Sequence, residues 1–269
     1  MWLFLLFKFI FSIAHFSKTF EVNYINKVAF KSTHHYIIKN IYSNPSEVFD
    51  TILKDDEILK RTTSVTKYYD DLIDHIPDAT IDDKKKKLYL TLVSINILEG
   101  IRFYVSFACS YCFAQNKKME GNAKIISFIN RDENLHMGFS TQVLKYLADE
   151  PSEGFQHIVK ECEPIVIKMY KDAADEEMEW AKYLFKDGAM IGLNAEILVQ
   201  YMKWLTNNRL KAIRLNPIFD KAVNPINWIT NWTESKSIQE APQETEKESY
   251  VVGSFQQLEE NESFDEFSI

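Results

Sequence analysis

Residues 88–115, LYLTLVSINILEGIRFYVSFACSYCFAQ, decide how the rest of the chain reads. Between Lys87 and Lys117 the only charged side chains are Glu99 and Arg102. The stretch has no proline, and Gly100 is its single weak point for a helix. A helix that is apolar all round is buried, either in a bundle core or in lipid. A membrane span needs about 20 mostly apolar residues, whereas the uncharged runs here are 11 and 14 residues long. The sequence therefore predicts a central bundle helix over 88–115 with a carboxylate in its middle.

Working outward, residues 118–147 predict a second long helix. One face carries Asn122, Ile126, Ile129, Glu133, His136, Ser140, Val143 and Leu147, so two ionisable groups at i and i+3 interrupt an apolar stripe and stand side by side. A third helix is expected over 151–186, stopped by Asp187-Gly188. Asn194 caps a fourth over 195–215, which Asn216-Pro217 ends. Upstream, Asn44-Pro45-Ser46-Glu47 has the chemistry of a helix start, and 61–73 continues helically. Residues 75–83, with Pro77, read as a loop, and Lys84–Lys87 as a solvated first turn. No long strand-like alternation and no internal repeat is visible. The fold class is all-α.

Composition agrees. Seven glycines and seven prolines in 269 residues are too few for a turn-rich β architecture. Three cysteines cannot build a disulfide scaffold. The net charge of −8 argues against a general nucleic-acid binder. That charge is segregated: residues 233–269 hold ten acids and two lysines, the whole excess, whereas 1–46 hold five lysines and one acid, Glu21. The tail is too polar to fold alone and is expected to be disordered, yet Tyr250, Phe255, Phe264, Phe267 and Ile269 punctuate it. The head opens MWLFLLFKFIFSIAHF, which is short for a span and lacks a basic start before Lys8. An anchor or signal, a packed core segment, and a stretch foreign to the fold that follows are its three readings.

Buried carboxylates are costly unless paired, neutralised or bound to metal. Glu99 has a structural explanation in Arg102, one turn away. Glu133 and His136 could bond to each other or to Arg131. The functional alternative is a metal site, because Glu-x-x-His on a core-facing helix with a further Glu from a neighbour is half of a di-iron carboxylate centre. Oxygen and imidazole donors suit iron or manganese. Cys109-x-x-Cys112 lies inside a helix with no second pair and reads as two small core residues. Trp228 and Trp232 read as a packing anchor where the body ends.

The wording becomes specific along LEGIRFYVSF (98–107), MEGNAKII (119–126) and RDENLH (131–136). These stretches resemble the small, radical-generating subunit of class I ribonucleotide reductase, of the bacterial and phage class Ia type. The likeness continues through YLFKDG (183–188), MIGLN (190–194) and NPINW (224–228), and runs from about Tyr36 to the C-terminus. The resemblance implies a ferritin-like helical bundle, a dinuclear iron centre (with manganese as the alternative metal), a homodimer, a cytoplasmic location away from membranes and nucleic acid, and a large (alpha) subunit as partner. Carried over by position, Glu99, Glu133 and His136 look like metal ligands. Asp132 looks like the carboxylate that orients a histidine ligand and joins the radical path. Phe103, Phe107 and Ile129 resemble the apolar pocket around the radical, and Tyr250 the tail tyrosine that relays it.

The departures are equally specific. The family's other ligands, an acid and a second Glu-x-x-His, and its radical tyrosine precede an Ile-Ile pair. Aligned on Ile37-Ile38, the corresponding positions hold Lys27, Phe30 and His34. The resulting division is a non-matching head (1–35), an incomplete ferritin-like domain (36–232), and a tail that docks on the large subunit (233–269). Such a chain is the C-terminal portion of a small subunit, and by itself it is expected not to assemble a stable diferric centre. The alternatives are a half-site bundle that only docks on the large subunit, or a different di-iron oxidase or iron store.

Overall fold

The computed structural model describes residues 80–233 and three isolated positions, Asn44, Ser46 and Lys54. Ser46 is helical and Asn44 lies outside the helix, as the Asn-Pro-Ser-Glu start requires. The head, the helix expected over 61–73 and most of the tail, Tyr250 included, lie outside the described residues.

Helix α1, Ile81–Ile97, begins seven residues earlier than its apolar pattern suggests. The cause is a reciprocal capping box: Asp83 N–H donates to the Thr80 hydroxyl at 3.1 Å, and Thr80 N–H donates to the Asp83 carboxylate at 3.0 Å. Two orphan amides are thereby satisfied, and the lysine run becomes helix. The rod continues through a π turn, Leu98–Arg102, into α2, Tyr104–Gln115. Asn116–Met119 reverses the chain, with Lys117 and Met119 both at positive φ (56° and 53°). Helix α3 then runs Glu120–Asp149. A short 3-10 turn, Pro151–Glu153, and Gly154 at φ 63° separate it from α4, Gln156–Leu184. The expected third helix is thus divided at its start, because glycine adopts the left-handed conformation without penalty.

The stop after Leu184 falls where Asp187-Gly188 predicts it. Asn194 caps α5, Ala195–Ala212, by accepting from Ile197 N–H at 2.8 Å. A 3-10 turn, Asn227–Ile229, leads into α6, Thr230–Thr233. Trp232 stacks on Tyr111 with ring centroids 5.3 Å apart and Ile229 is buried, which fastens the end of the body to α2. Among the described residues there is no strand, only an isolated bridge between Met190 and Leu193.

Three helices meet at Asn96, which is 1% exposed. Its amide donates to Met137 O (3.2 Å), Ser140 Oγ (2.8 Å) and Thr141 Oγ1 (2.9 Å) on α3, and its carbonyl accepts from the Tyr170 hydroxyl on α4. A buried amide left without partners would cost about 1–3 kcal/mol per group. This hub therefore fixes the register of α1 against α3, and with it the height at which their acidic side chains face each other. The rod Ile81–Gln115 is long and apolar enough to cross a membrane by composition, yet 83% of its most apolar window is buried inside the bundle.

Candidate metal centre

Glu99 comes from the π turn, and Glu133 and His136 from the middle of α3. A π turn widens the helix by one residue, which redirects the side chains that it carries. Here it brings Glu99 to the i, i+3 pair on α3. One donor atom from each of the three residues lies within 4.8 Å of the others. His136 Nδ1 is 3.3 Å from Glu133 Oε2 and 3.6 Å from Glu99 Oε2. The two carboxylates are 16% exposed and the imidazole 35%.

The electrostatics are those of a crowded acidic site. Burial pushes the Glu133 carboxyl up to about 8, and the neighbouring Glu99 adds to the effect. Its hydrogen bond to Glu133, together with Glu99, pushes His136 up to about 10. The Glu99 Oε2 atom is buried with no hydrogen-bond partner among the described residues. A buried carboxylate oxygen with, among the described residues, no hydrogen bond and only a 3.6 Å ion pair, a carboxyl held largely protonated at neutral pH and an imidazole converge on one point, a donor set that fits a transition metal.

Glu133 and His136 do bond to each other, as their spacing allows, but Arg102 is not the partner of Glu99. Arg102 turns instead to α4, where its Nη1 lies 2.7 Å from Glu176 and 3.7 Å from Glu177. Arg131 sits over the Phe128 ring, its guanidinium carbon 5.6 Å from the centroid. Asp132 is half-buried in the middle of α3. Phe103 stacks on Phe107 at 5.9 Å, Phe107 is fully buried, and Ile129 packs against the core. Cys109 and Cys112 are free and buried, and burial pushes Cys112 up to about 11. That is a pair of inert core thiols.

One group escaped the sequence reading. The Tyr104 hydroxyl donates to Asn134 Oδ1 at 2.7 Å and accepts from Arg209 Nη2 at 2.8 Å, while Arg209 Nε donates to Gly100 O at 3.1 Å. The only sequence signal was Gly100 directly after Glu99. Arg209 lies 109 residues from its partner, and no local pattern reports such a bond.

Comparison with known proteins identifies the family. The family model for the ribonucleotide reductase small chain matches residues 10–225. This chain belongs to that family. It is 45% identical over 254 residues to the ribonucleoside-diphosphate reductase subunit beta of Haemophilus influenzae, covering 87% of this chain and 67% of the relative. It is 44% identical to the Escherichia coli O157:H7 reductase 1 subunit beta, covering 84% and 66%, and 37% identical to the phage T4 subunit beta, covering 81% and 63%.

Membership of the family makes the chain an oxidoreductase component, and the chain spans about two thirds of the length of these relatives. A class I ribonucleotide reductase from Bacillus halodurans superposes with a TM-score of 0.71 at 25% identity, covering 83% of this chain and 76% of that one. A dimanganese(II) NrdF from Streptococcus sanguinis superposes at 0.56 with 15% identity, covering 85% and 82%, and supports the ferritin-like fold alone. The family match begins at residue 10, inside the 1–35 segment that charge and motifs set apart.

Proposed function

We propose that this chain is the C-terminal portion of a ribonucleoside-diphosphate reductase small subunit, in which Glu99, Glu133 and His136 hold iron as half of a dinuclear centre. The observation that carries the reading is the convergence of one lone Glu and one Glu-x-x-His on a single point, with a carboxylate oxygen left over. The full set in such bundles is twice this: a Glu from each of two helices and a Glu-x-x-His from each of two others. A bound dinuclear metal supplies one-electron oxidising power, with manganese as the alternative to iron.

The chain's own residues do the rest of the work. The triad binds and orients the metal, Phe103, Phe107 and Ile129 keep water from it, and Asp132 stands on the radical's way out of the bundle. Once a complementing segment completes the centre, Tyr250 would relay the radical to the large subunit, on which the tail docks through its last aromatic residues. The chain works as a homodimer in the cytoplasm. The division of the head at 35/36 rests on its charge and on the absence of the ligand motifs there.

Three donors cannot complete two six-coordinate metal ions, so the isolated chain takes up iron substoichiometrically and forms no stable tyrosyl radical. Iron analysis and an electron paramagnetic resonance spectrum after loading with iron and oxygen test this. Two tightly bound irons per chain with a radical signal would overturn it.

A further inference from the structure

The π turn that carries Glu99 needs support from outside its own helix. Where a helix widens, its carbonyls lose the regular i−4 geometry, and a buried carbonyl must find another donor. Arg209, on α5, reaches across to donate to Gly100 O at 3.1 Å. A second arm of the same guanidinium donates to the Tyr104 hydroxyl at 2.8 Å, and the group lies over that ring at 5.1 Å. Tyr104 is 2% exposed, and its hydroxyl passes the connection to Asn134, the neighbour of Glu133. Asn134 in turn donates to Thr233 O, 3.2 Å away at the end of the body. The network thus touches both elements that supply the triad.

Gly100 makes the approach possible. A Cβ there would stand 3.1 Å from Met137 Cγ and 3.4 Å from both Cδ and Nε of Arg209. A methyl there would touch the Arg209 side chain at ordinary contact distance and would press mainly on Met137, so the close fit at Gly100 is to α3 as much as to Arg209. Relaxation of the turn to regular α-helix would rotate one flank of the rod by about 100° against the other, which would carry Glu99 out of line with Glu133 and His136.

We propose that Arg209, Tyr104 and Asn134 are positioning residues that lock the π turn and so aim Glu99 into the metal half-site. The inference rests on the metal reading above, and it adds residues that the ligand motif does not contain. It also has a sign that simple electrostatics lacks. Removal of the Arg209 cation from the vicinity of a cation site should tighten metal binding by Coulomb's law alone. Loss of a positioning contact should weaken it.

The test uses the full chain and its Arg209→Met and Tyr104→Phe variants. Ferrous ion is titrated anaerobically against a chromophoric chelator, and hydrogen exchange is followed across amides 98–103. The expected result is about a tenfold weaker affinity for Fe²⁺ in each variant, the low end for supporting contacts around a metal ligand, with faster exchange confined to the turn. Cys162→Ala, a buried change on α4, should lower the melting temperature without moving either readout. Unchanged or tighter Fe²⁺ binding in Arg209→Met and Tyr104→Phe, with unchanged exchange, would overturn the proposal. A parent chain that takes up no Fe²⁺ would overturn the metal reading instead, and the exchange data would still decide whether these residues hold the turn.

Discussion

Glu133→Gln should stabilise the metal-free chain and abolish its response to metal. The substitution keeps the shape of the side chain and removes its charge. The Glu133 carboxyl, ordinarily near 4.5, is pushed up to about 8 by burial beside Glu99. A group with a raised folded value favours the folded state while protonated, and that advantage drains away as pH rises from the unfolded to the folded value. At pH 7 most of the interval has been crossed. One pH unit is worth about 1.4 kcal/mol, so the carboxyl costs the fold about 3–4 kcal/mol there.

The amide escapes that cost but weakens the 3.3 Å contact to His136, which returns about 1–2 kcal/mol. The net gain is about 1–3 kcal/mol, or roughly 2–12 °C in melting temperature for a domain of this size. Metal reverses the order. A divalent ion at a hundred times its dissociation constant should stabilise the parent by about 2.7 kcal/mol, and the variant should gain nothing. Thermal melts at pH 7, with chelator and with anaerobic Fe²⁺, read both halves. A variant less stable than the parent without metal would refute the burial argument. A variant that still gains as much from Fe²⁺ would refute the site.

Metal uptake should tighten steeply between pH 6 and pH 9, because the ion must displace protons from Glu133 (about 8) and His136 (about 10). Over the same interval the metal-free chain should lose stability, since both folded values are raised; isothermal titrations in buffers of different ionisation enthalpy count the protons released. For the tail, a synthetic peptide covering Glu260–Ile269 should compete with the intact chain for the large subunit, and Phe267→Ala should weaken that competition by about 1–3 kcal/mol. In a complex whose metal centre has been completed by a segment that supplies the missing ligands and the radical tyrosine, Tyr250→Phe should leave the affinity nearly unchanged while abolishing turnover; failure to compete at millimolar peptide, or full turnover in Tyr250→Phe, would refute the assignment of the tail.

Much of this protein is local and can be read along the chain. A helix repeats every 3.6 residues, so the pairing of Glu133 with His136 and the burial of the 88–115 rod follow from spacing alone. Caps are equally local, and Asn194 and Asp187-Gly188 mark their helix ends within a residue or two. The Thr80–Asp83 box is of the same kind: the lysine run reads correctly as a solvated first turn, and the helix starts only three residues before it, inside the segment expected to be loop.

What tertiary structure decided is everything set by contacts between distant segments. The partner of Arg102 is Glu176, 74 residues away, not the Glu99 one turn behind it. The aim of Glu99 depends on a π turn, a conformation that no residue in LEGIR demands in isolation and that Arg209 stabilises from another helix. A hydrogen bond that closes over 109 residues leaves no periodic trace. It exists because a buried carbonyl must find a donor, and only the packed bundle determines which donor is within reach.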